Sequence, residues 1–203
     1  MMKIGIMGGT FDPIHIGHLI LAESARESLN LNKIIFIPTG INPFKIDKNT
    51  ASPVHRLEML KLAIESNEHF TISSIEIERS GITYTIDTMK ALREKYKEDE
   101  LYFIVGSDIV FQIEKWKDFK DIFKLCKFVL VNRPGNDCNE IDNKIKELNL
   151  RYAISFIRIN SPYIDISSSD IRNRIKNNKS IKYLVPLKVE EYIKKNNLYM
   201  EED

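Results

Sequence analysis

The chain has 203 residues, 43% of them hydrophobic, with 30 Lys+Arg against 29 Asp+Glu and a formal net charge of +1. That length suits one α/β domain with a sizeable core. The near-zero charge excludes a globally basic binder of nucleic acid or membrane surface, and no apolar run approaches the roughly 20 residues needed to cross a bilayer.

The first element is the apolar run Ile4-Gly5-Ile6-Met7, entered at once, so no signal peptide is expected. It leads into Gly8-Gly9-Thr10-Phe11-Asp12-Pro13-Ile14-His15-Ile16-Gly17-His18 and then an amphipathic stretch carrying Leu19, Ala22 and Ala25. That order is strand, glycine turn, helix. The turn therefore falls at the carboxyl end of a first strand, where open α/β sheets place their ligands. Gly8 and Gly9 admit a ligand close to the backbone, Thr10 adds a hydroxyl, and Phe11 completes the turn. His15 and His18 are three apart, so both rings project from one helix face. Free amides and the positive end of the helix dipole beside them suit a phosphate. The segment reads as a nucleoside triphosphate site. It has neither the lysine-bearing P-loop nor the Gly-x-Gly-x-x-Gly dinucleotide fingerprint.

Lys33-Ile34-Ile35-Phe36-Ile37-Pro38 is a buried-strand pattern ended by proline, and residues 39–50 form a polar loop. Ser52-Pro53 opens a helix, serine as cap and proline in the first turn, with Leu57, Leu60 and Ile64 as its inward stripe. A strand over residues 70–78 and a helix from Thr85 to Tyr96 follow. Leu101-Tyr102-Phe103-Ile104-Val105 is a fourth strand that ends at Gly106-Ser107-Asp108, and Phe128-Val129-Leu130-Val131 is a fifth. A helix over 139–149, a sixth strand over Ile154-Ser155-Phe156-Ile157 and short terminal helices complete the chain. Alternating strands and helices predict a mostly parallel sheet covered on both faces. Residues 1–203 read as a single domain, with a helical carboxyl-terminal part over about 165–203. Cys126 and Cys138 lack metal-type spacing, and Cys126 lies in an apolar run. A reducing cytoplasm is the expected setting.

Ile166-Ser167-Ser168-Ser169-Asp170-Ile171-Arg172 is the second strong signal. Serines ahead of a helix-forming run offer exposed amides and hydroxyls. Arg172, read as lying in the first turn, carries a guanidinium that can clamp phosphate oxygens. Taken alone this is a serine-capped helix with a surface arginine.

Together the two segments resemble the signatures of the nucleotidyltransferase superfamily: the T/H-x-G-H motif, here with His15 and His18, and the Ile-Ser-Ser-Thr-x-Ile-Arg motif, here with Ser169 in place of threonine. Thr83-Tyr84-Thr85, Asp87-Thr88, Gly106-Ser107-Asp108 and Trp116 narrow the resemblance to the bacterial nicotinate-nucleotide adenylyltransferases, from Lys3 to about Leu198. The resemblance implies a Rossmann-like, doubly wound α/β fold and transfer of AMP from ATP to nicotinate mononucleotide, with Mg²⁺ carried on the ATP phosphates. It implies that His15, His18 and Arg172 are catalytic. Gly8, Gly9, Thr10, Phe11, Ser167 and Ser168 would bind ATP and its departing phosphates. Trp116 and Thr85 would hold the nicotinate with an amide of Phe111, Asp108 would bind ribose, and Arg133 would approach substrate or nucleotide.

One departure stands out. The family loop commonly carries Pro-Pro-His followed by a basic residue, whereas this chain reads Asn42-Pro43-Phe44-Lys45. Lys45 keeps the charge and is a candidate phosphate ligand, but Phe44 replaces the histidine. Nicotinamide mononucleotide and phosphopantetheine stand as alternative acceptors, and a non-catalytic nucleotide sensor as the alternative from another class. Small molecules are the expected partners, without nucleic acid or membrane, and a homodimer is as ordinary as a monomer.

Overall fold

Strand side chains alternate between two separate apolar clusters, and this alternation sets the layering. The computed structural model describes residues 1–40, 50–132, 138–162 and 164–200. In β2 (Lys33–Pro38), Ile34 and Phe36 enter one cluster while Ile35 and Ile37 enter the other. Val129 and Val131 of β5 (Lys127–Asn132) join the first cluster, and Phe128 and Leu130 the second. Strands buried on both faces need apolar residues at successive positions, which is why these runs lack a polar alternation.

The sheet holds six strands in the order β3-β2-β1-β4-β5-β6, every pairing parallel. β1 (Lys3–Gly9) and β4 (Glu100–Gly106) lie at its centre, β3 (Phe70–Ile72) and β6 (Phe156–Asn160) at its edges. This is the doubly wound order, so the expected fold class holds and the sheet is parallel throughout. Two strand boundaries differ from expectation. The third strand ends at Ile72, because residues 73–79 turn away to form part of the site wall. The sixth spans Phe156–Asn160 instead of beginning at residue 154, since α5 (Cys138–Tyr152) runs longer than predicted and a left-handed Ala153 intervenes.

One face is covered by α1 (Ile16–Leu29), α2 (Pro53–Ile64), α6 (Ser168–Lys176) and α7 (Leu187–Lys195), through Leu21, Leu60, Ile171 and Val189. The other is covered by α3 (Thr85–Lys95), α4 (Phe119–Leu125) and α5, through Met89, Ile122 and Leu148. The Ser52 hydroxyl accepts from the His55 amide at 3.4 Å, with Pro53 in the first turn, as the sequence requires of α2. Among the described residues no helix is long and apolar enough to cross a membrane.

Candidate active site

After β3 the chain crosses back over the sheet to lay β4 beside β1, so the winding reverses between these two strands. The loops after β1 and β4 therefore part, and a cleft of about 530 Å³ opens at the carboxyl ends of these strands. Gly8, Gly9, Thr10 and His18 form one wall, and Thr85, Asp108 and Trp116 line the same cleft. Residues from three separate stretches of sequence thus meet where the turn alone predicts a ligand.

His15 caps α1 in an extended conformation and is buried, 4% exposed. His18 lines the cleft, and its Nδ1 accepts from the His15 amide at 3.2 Å. The two rings stack with centroids 3.6 Å apart at 28°. Phe11, buried with φ of 50°, supports His18 edge-on at 5.2 Å. Its ring is a backing for the histidine, not part of the cleft wall. Gly17 gives His15 its space: a Cβ there would stand 3.1 Å from His15 Nδ1. The expectation of free amides at this helix start needs correction: besides the His15 amide held by His18 Nδ1, the His18 amide donates to the His15 carbonyl at 3.0 Å. The Ile16 amide donates to the Leu184 carbonyl at 3.0 Å, because the segment before α7 packs across the start of α1.

On the opposite wall, Trp116 packs edge-on against Phe103 with centroids 6.0 Å apart and also lines the cleft. One position thus packs this tryptophan on the core and sets it on the cleft wall. Asp108 stands exposed in a 3-10 turn after β4, spanning Ser107–Phe111. The Phe111 ring lies outside the cleft wall and is 48% exposed, so its proposed part rests on its backbone amide. Lys117 places its ammonium 4.6 Å from the centre of the Tyr84 ring, joining the two sides of this wall. Beneath them, the buried Thr88 hydroxyl donates to Glu76 at 2.8 Å and accepts from Arg79 at 3.3 Å.

The second signature meets the first at Asp12 and Pro13, and neither its serines nor Arg172 are among the residues that line the cleft. Ser167 caps α6, accepting from the Asp170 amide at 3.0 Å, and the Ser168 hydroxyl donates to the Pro13 carbonyl at 2.9 Å. Arg172 falls one turn beyond its expected place, because the helix starts at Ser168. Its guanidinium donates to the Asp12 carbonyl at 2.6 Å, 160 residues away in sequence, and to Ser169 Oγ at 3.3 Å. It also lies 3.6 Å from the Asp12 carboxylate.

Asp12, Arg56 and Tyr199 are structural members of this region to which sequence reasoning gave no role. Asp12 is 4% exposed and accepts from the Tyr199 hydroxyl at 2.6 Å and the Ala51 amide at 3.1 Å. Arg56, 3% exposed, donates to the carbonyls of Thr10 at 2.8 Å and Ala51 at 3.2 Å. Burial lowers the proton affinity of Arg56, opposed by the Asp12 charge. One signal was readable: Arg56 precedes Met59, Leu60 and Ala63 at helical spacing, so it occupies the buried stripe of α2. Lys45 and Arg133, with Phe44, lie outside the described residues.

Comparison with known proteins agrees with this geometry. The family model described as cytidylyltransferase-like matches residues 6–174. The chain is 43% identical over 203 residues to a Thermoanaerobacter protein and 45% identical over 200 residues to one from Moorella thermoacetica. Both bear the name "Probable nicotinate-nucleotide adenylyltransferase". The first match covers 100% of this chain and 96% of its relative, the second 97% and 91%. A solved structure of Plasmodium falciparum nicotinic acid mononucleotide adenylyltransferase complexed with NaAD superposes with a TM-score of 0.78 at 23% identity, covering 98% of each chain. That likeness speaks for the fold. Full-length similarity above 40% and the matched family model place the chain in the cytidylyltransferase-like family, among its nicotinate-nucleotide adenylyltransferases.

Proposed function

We propose that this chain transfers the adenylyl group of ATP to nicotinate mononucleotide, giving nicotinate adenine dinucleotide and pyrophosphate. The observation that carries the reading is the cleft at the centre of the sheet. It sets the Gly8–Thr10 turn and His18 against Thr85, Asp108 and Trp116 within one volume. A phosphate-binding side and an aromatic side are what joining two nucleotides requires.

In this reading a 5′-phosphate oxygen of the mononucleotide attacks the α-phosphorus of ATP. The bond from that phosphorus to the oxygen bridging the α- and β-phosphates breaks, and pyrophosphate leaves with the electron pair. The attacking oxygen is already anionic, so no general base is needed, and catalysis rests on positioning and on stabilising charge. His18, with His15 stacked behind it, donates toward the triphosphate. Arg172, Ser167 and Ser168 are assigned to the departing phosphates. Trp116 stacks on the pyridine, Thr85 and the Phe111 amide hold its carboxylate, and Asp108 binds ribose. Lys45 and Arg133 are kept as further phosphate or nucleotide ligands.

Among the described residues no group of three or more His, Cys, Asp or Glu is placed to hold a metal. The acidic side chains of the cleft are Glu76 and Asp108. These residues do not build a protein site for Mg²⁺, so magnesium is assigned only as the companion of the ATP phosphates. No step is routed through it. The reading carries a cytoplasmic setting and action on small molecules rather than nucleic acid. Light scattering separates monomer from homodimer.

The test is pyrophosphate release from ATP and Mg²⁺ with nicotinate mononucleotide, nicotinamide mononucleotide and phosphopantetheine in parallel. Release with the nicotinate form, at a kcat/KM at least tenfold above the others, supports the reading. Release only with another acceptor keeps adenylyl transfer and overturns the assigned pocket. ATP binding without release under any acceptor overturns the enzyme reading.

A further inference from the structure

The Asp12 carboxylate sits beside Arg172, which is assigned to the departing phosphates, and it is a rival anion for the same arginine. Its two oxygens are treated differently. Oδ1 accepts from both the Tyr199 hydroxyl at 2.6 Å and the Ala51 amide at 3.1 Å. Oδ2 is left at 3.6 Å from Arg172 Nη1, well beyond the roughly 2.7–2.9 Å of a charge-assisted hydrogen bond. Arg172 is instead anchored on the Asp12 main-chain carbonyl at 2.6 Å. A neutral acceptor thus fixes the direction of the guanidinium, while the Asp12 carboxylate is held to a longer ion pair with it.

We propose that Tyr199 is a positioning residue for adenylyl transfer: its hydroxyl pins the Asp12 carboxylate so that Arg172 is aimed by a carbonyl and keeps its charge for pyrophosphate. The proposal rests on the adenylyltransferase reading given above. Tyr199 reaches Asp12 across 187 residues of sequence and adopts φ of 64°, a left-handed conformation uncommon for a bulky residue. The ring is held there by the hydrophobic cluster shared by α1, α2, α6 and α7. Burial, with the nearby Asp12 charge second, pushes the hydroxyl well above its ordinary range, so it stays a proton donor at working pH. Without the hydroxyl, Oδ1 loses one of its two donors and the carboxylate turns toward Arg172. The closer ion pair then competes with phosphate oxygens for the guanidinium.

The test is Tyr199→Phe, which removes one oxygen and keeps the ring. In the reverse reaction, run at a temperature where both proteins are folded, the KM for pyrophosphate should rise about tenfold while the KM for the dinucleotide stays unchanged. Calorimetric titration with inorganic pyrophosphate should show the same loss of affinity. The double variant Asp12→Asn/Tyr199→Phe, whose amide carries no charge to compete for Arg172, should recover part of it. Kinetic constants equal to wild type overturn the proposal, as does a rise of both KM values together with a lower melting temperature. If the wild-type chain releases no pyrophosphate with nicotinate mononucleotide, the functional reading fails. The calorimetric comparison of the two proteins still decides the role of Tyr199.

Discussion

The imidazole rings of His15 and His18 lie face to face, 3.6 Å apart, yet only His18 lines the cleft. One ring of the pair thus faces the cleft and the other is buried behind it, and the proposed roles divide accordingly. His18→Ala should lower kcat by about a hundredfold or more, the scale on which one preorganised donor is worth about 3 kcal/mol. Its melting temperature should fall only modestly, through loss of the acceptor for the His15 amide and of the ring contacts. His15→Ala should lower both, the melting temperature further, because it also vacates a buried position. Steady-state kinetics with thermal melting distinguishes the two, and equal effects on stability would contradict the division.

Gly17→Ala separates activity from stability in the opposite sense. Alanine favours a helix over glycine by roughly 1 kcal/mol in an interior position and by less near the start. Here the added carbon would stand 3.1 Å from His15 Nδ1, so the ring must give way by a few tenths of an ångström. The expected outcome is a melting temperature equal to or above wild type with a kcat several-fold lower. An unchanged kcat would show that the stacked geometry tolerates the shift.

Trp116→Ala should raise the KM for nicotinate mononucleotide by roughly tenfold to a hundredfold, since stacking on an aromatic side chain is worth about 1–3 kcal/mol per base. The KM for ATP should change little. Because Trp116 also packs on Phe103, Trp116→Phe is the informative control: it should restore most of the stability and part of the affinity. Competition kinetics against both substrates provides the measurement.

Arg56→Lys tests the support beneath the turn. A lysine cannot reproduce the guanidinium fork that serves the Thr10 and Ala51 carbonyls, so one buried acceptor loses its donor at a cost of about 1–3 kcal/mol. Urea denaturation should show a lower midpoint with an unchanged slope.

Burial pushes the Cys126 thiol up to about 12, so the folded protein holds that proton over a range where the unfolded chain, with a value of 9.0, has released it. Between these values the unfolded state binds fewer protons, and stability falls with rising pH. The contribution is roughly 1.4 kcal/mol per pH unit. Below pH 9 it is fully present. Cys126→Ala should flatten the pH dependence of unfolding between pH 9 and 12 relative to wild type. An identical slope in both proteins would place the thiol in a more solvated setting than its 7% exposure implies.

The sheet and the two signatures were legible because each has a local cause. Successive apolar residues demanded strands buried on both faces, and the Gly8–His18 run carried turn chemistry and helix capping within one short segment. What was not legible arose from distance. Asp12 reads as an ordinary turn acid until Tyr199 arrives to hold it, and neither residue names the other. Arg172 was identified, but its anchoring on a main-chain carbonyl depends on the path of the turn and not on any side-chain identity. The end of β3 at Ile72 followed the same rule: the alternation over residues 70–78 suited a strand, and the site wall claimed the remainder.

The Asp12–Arg172 and Asp12–Tyr199 bonds join the beginning of the chain to segments beyond residue 167. The turn after β1 is held by groups that follow it far along the chain. The stretch from β1 through β6 holds all six strands of the sheet, yet it lacks Arg172 and Tyr199, which hold the first loop. The order of the first loop therefore depends on partners 160 and 187 residues further along the chain.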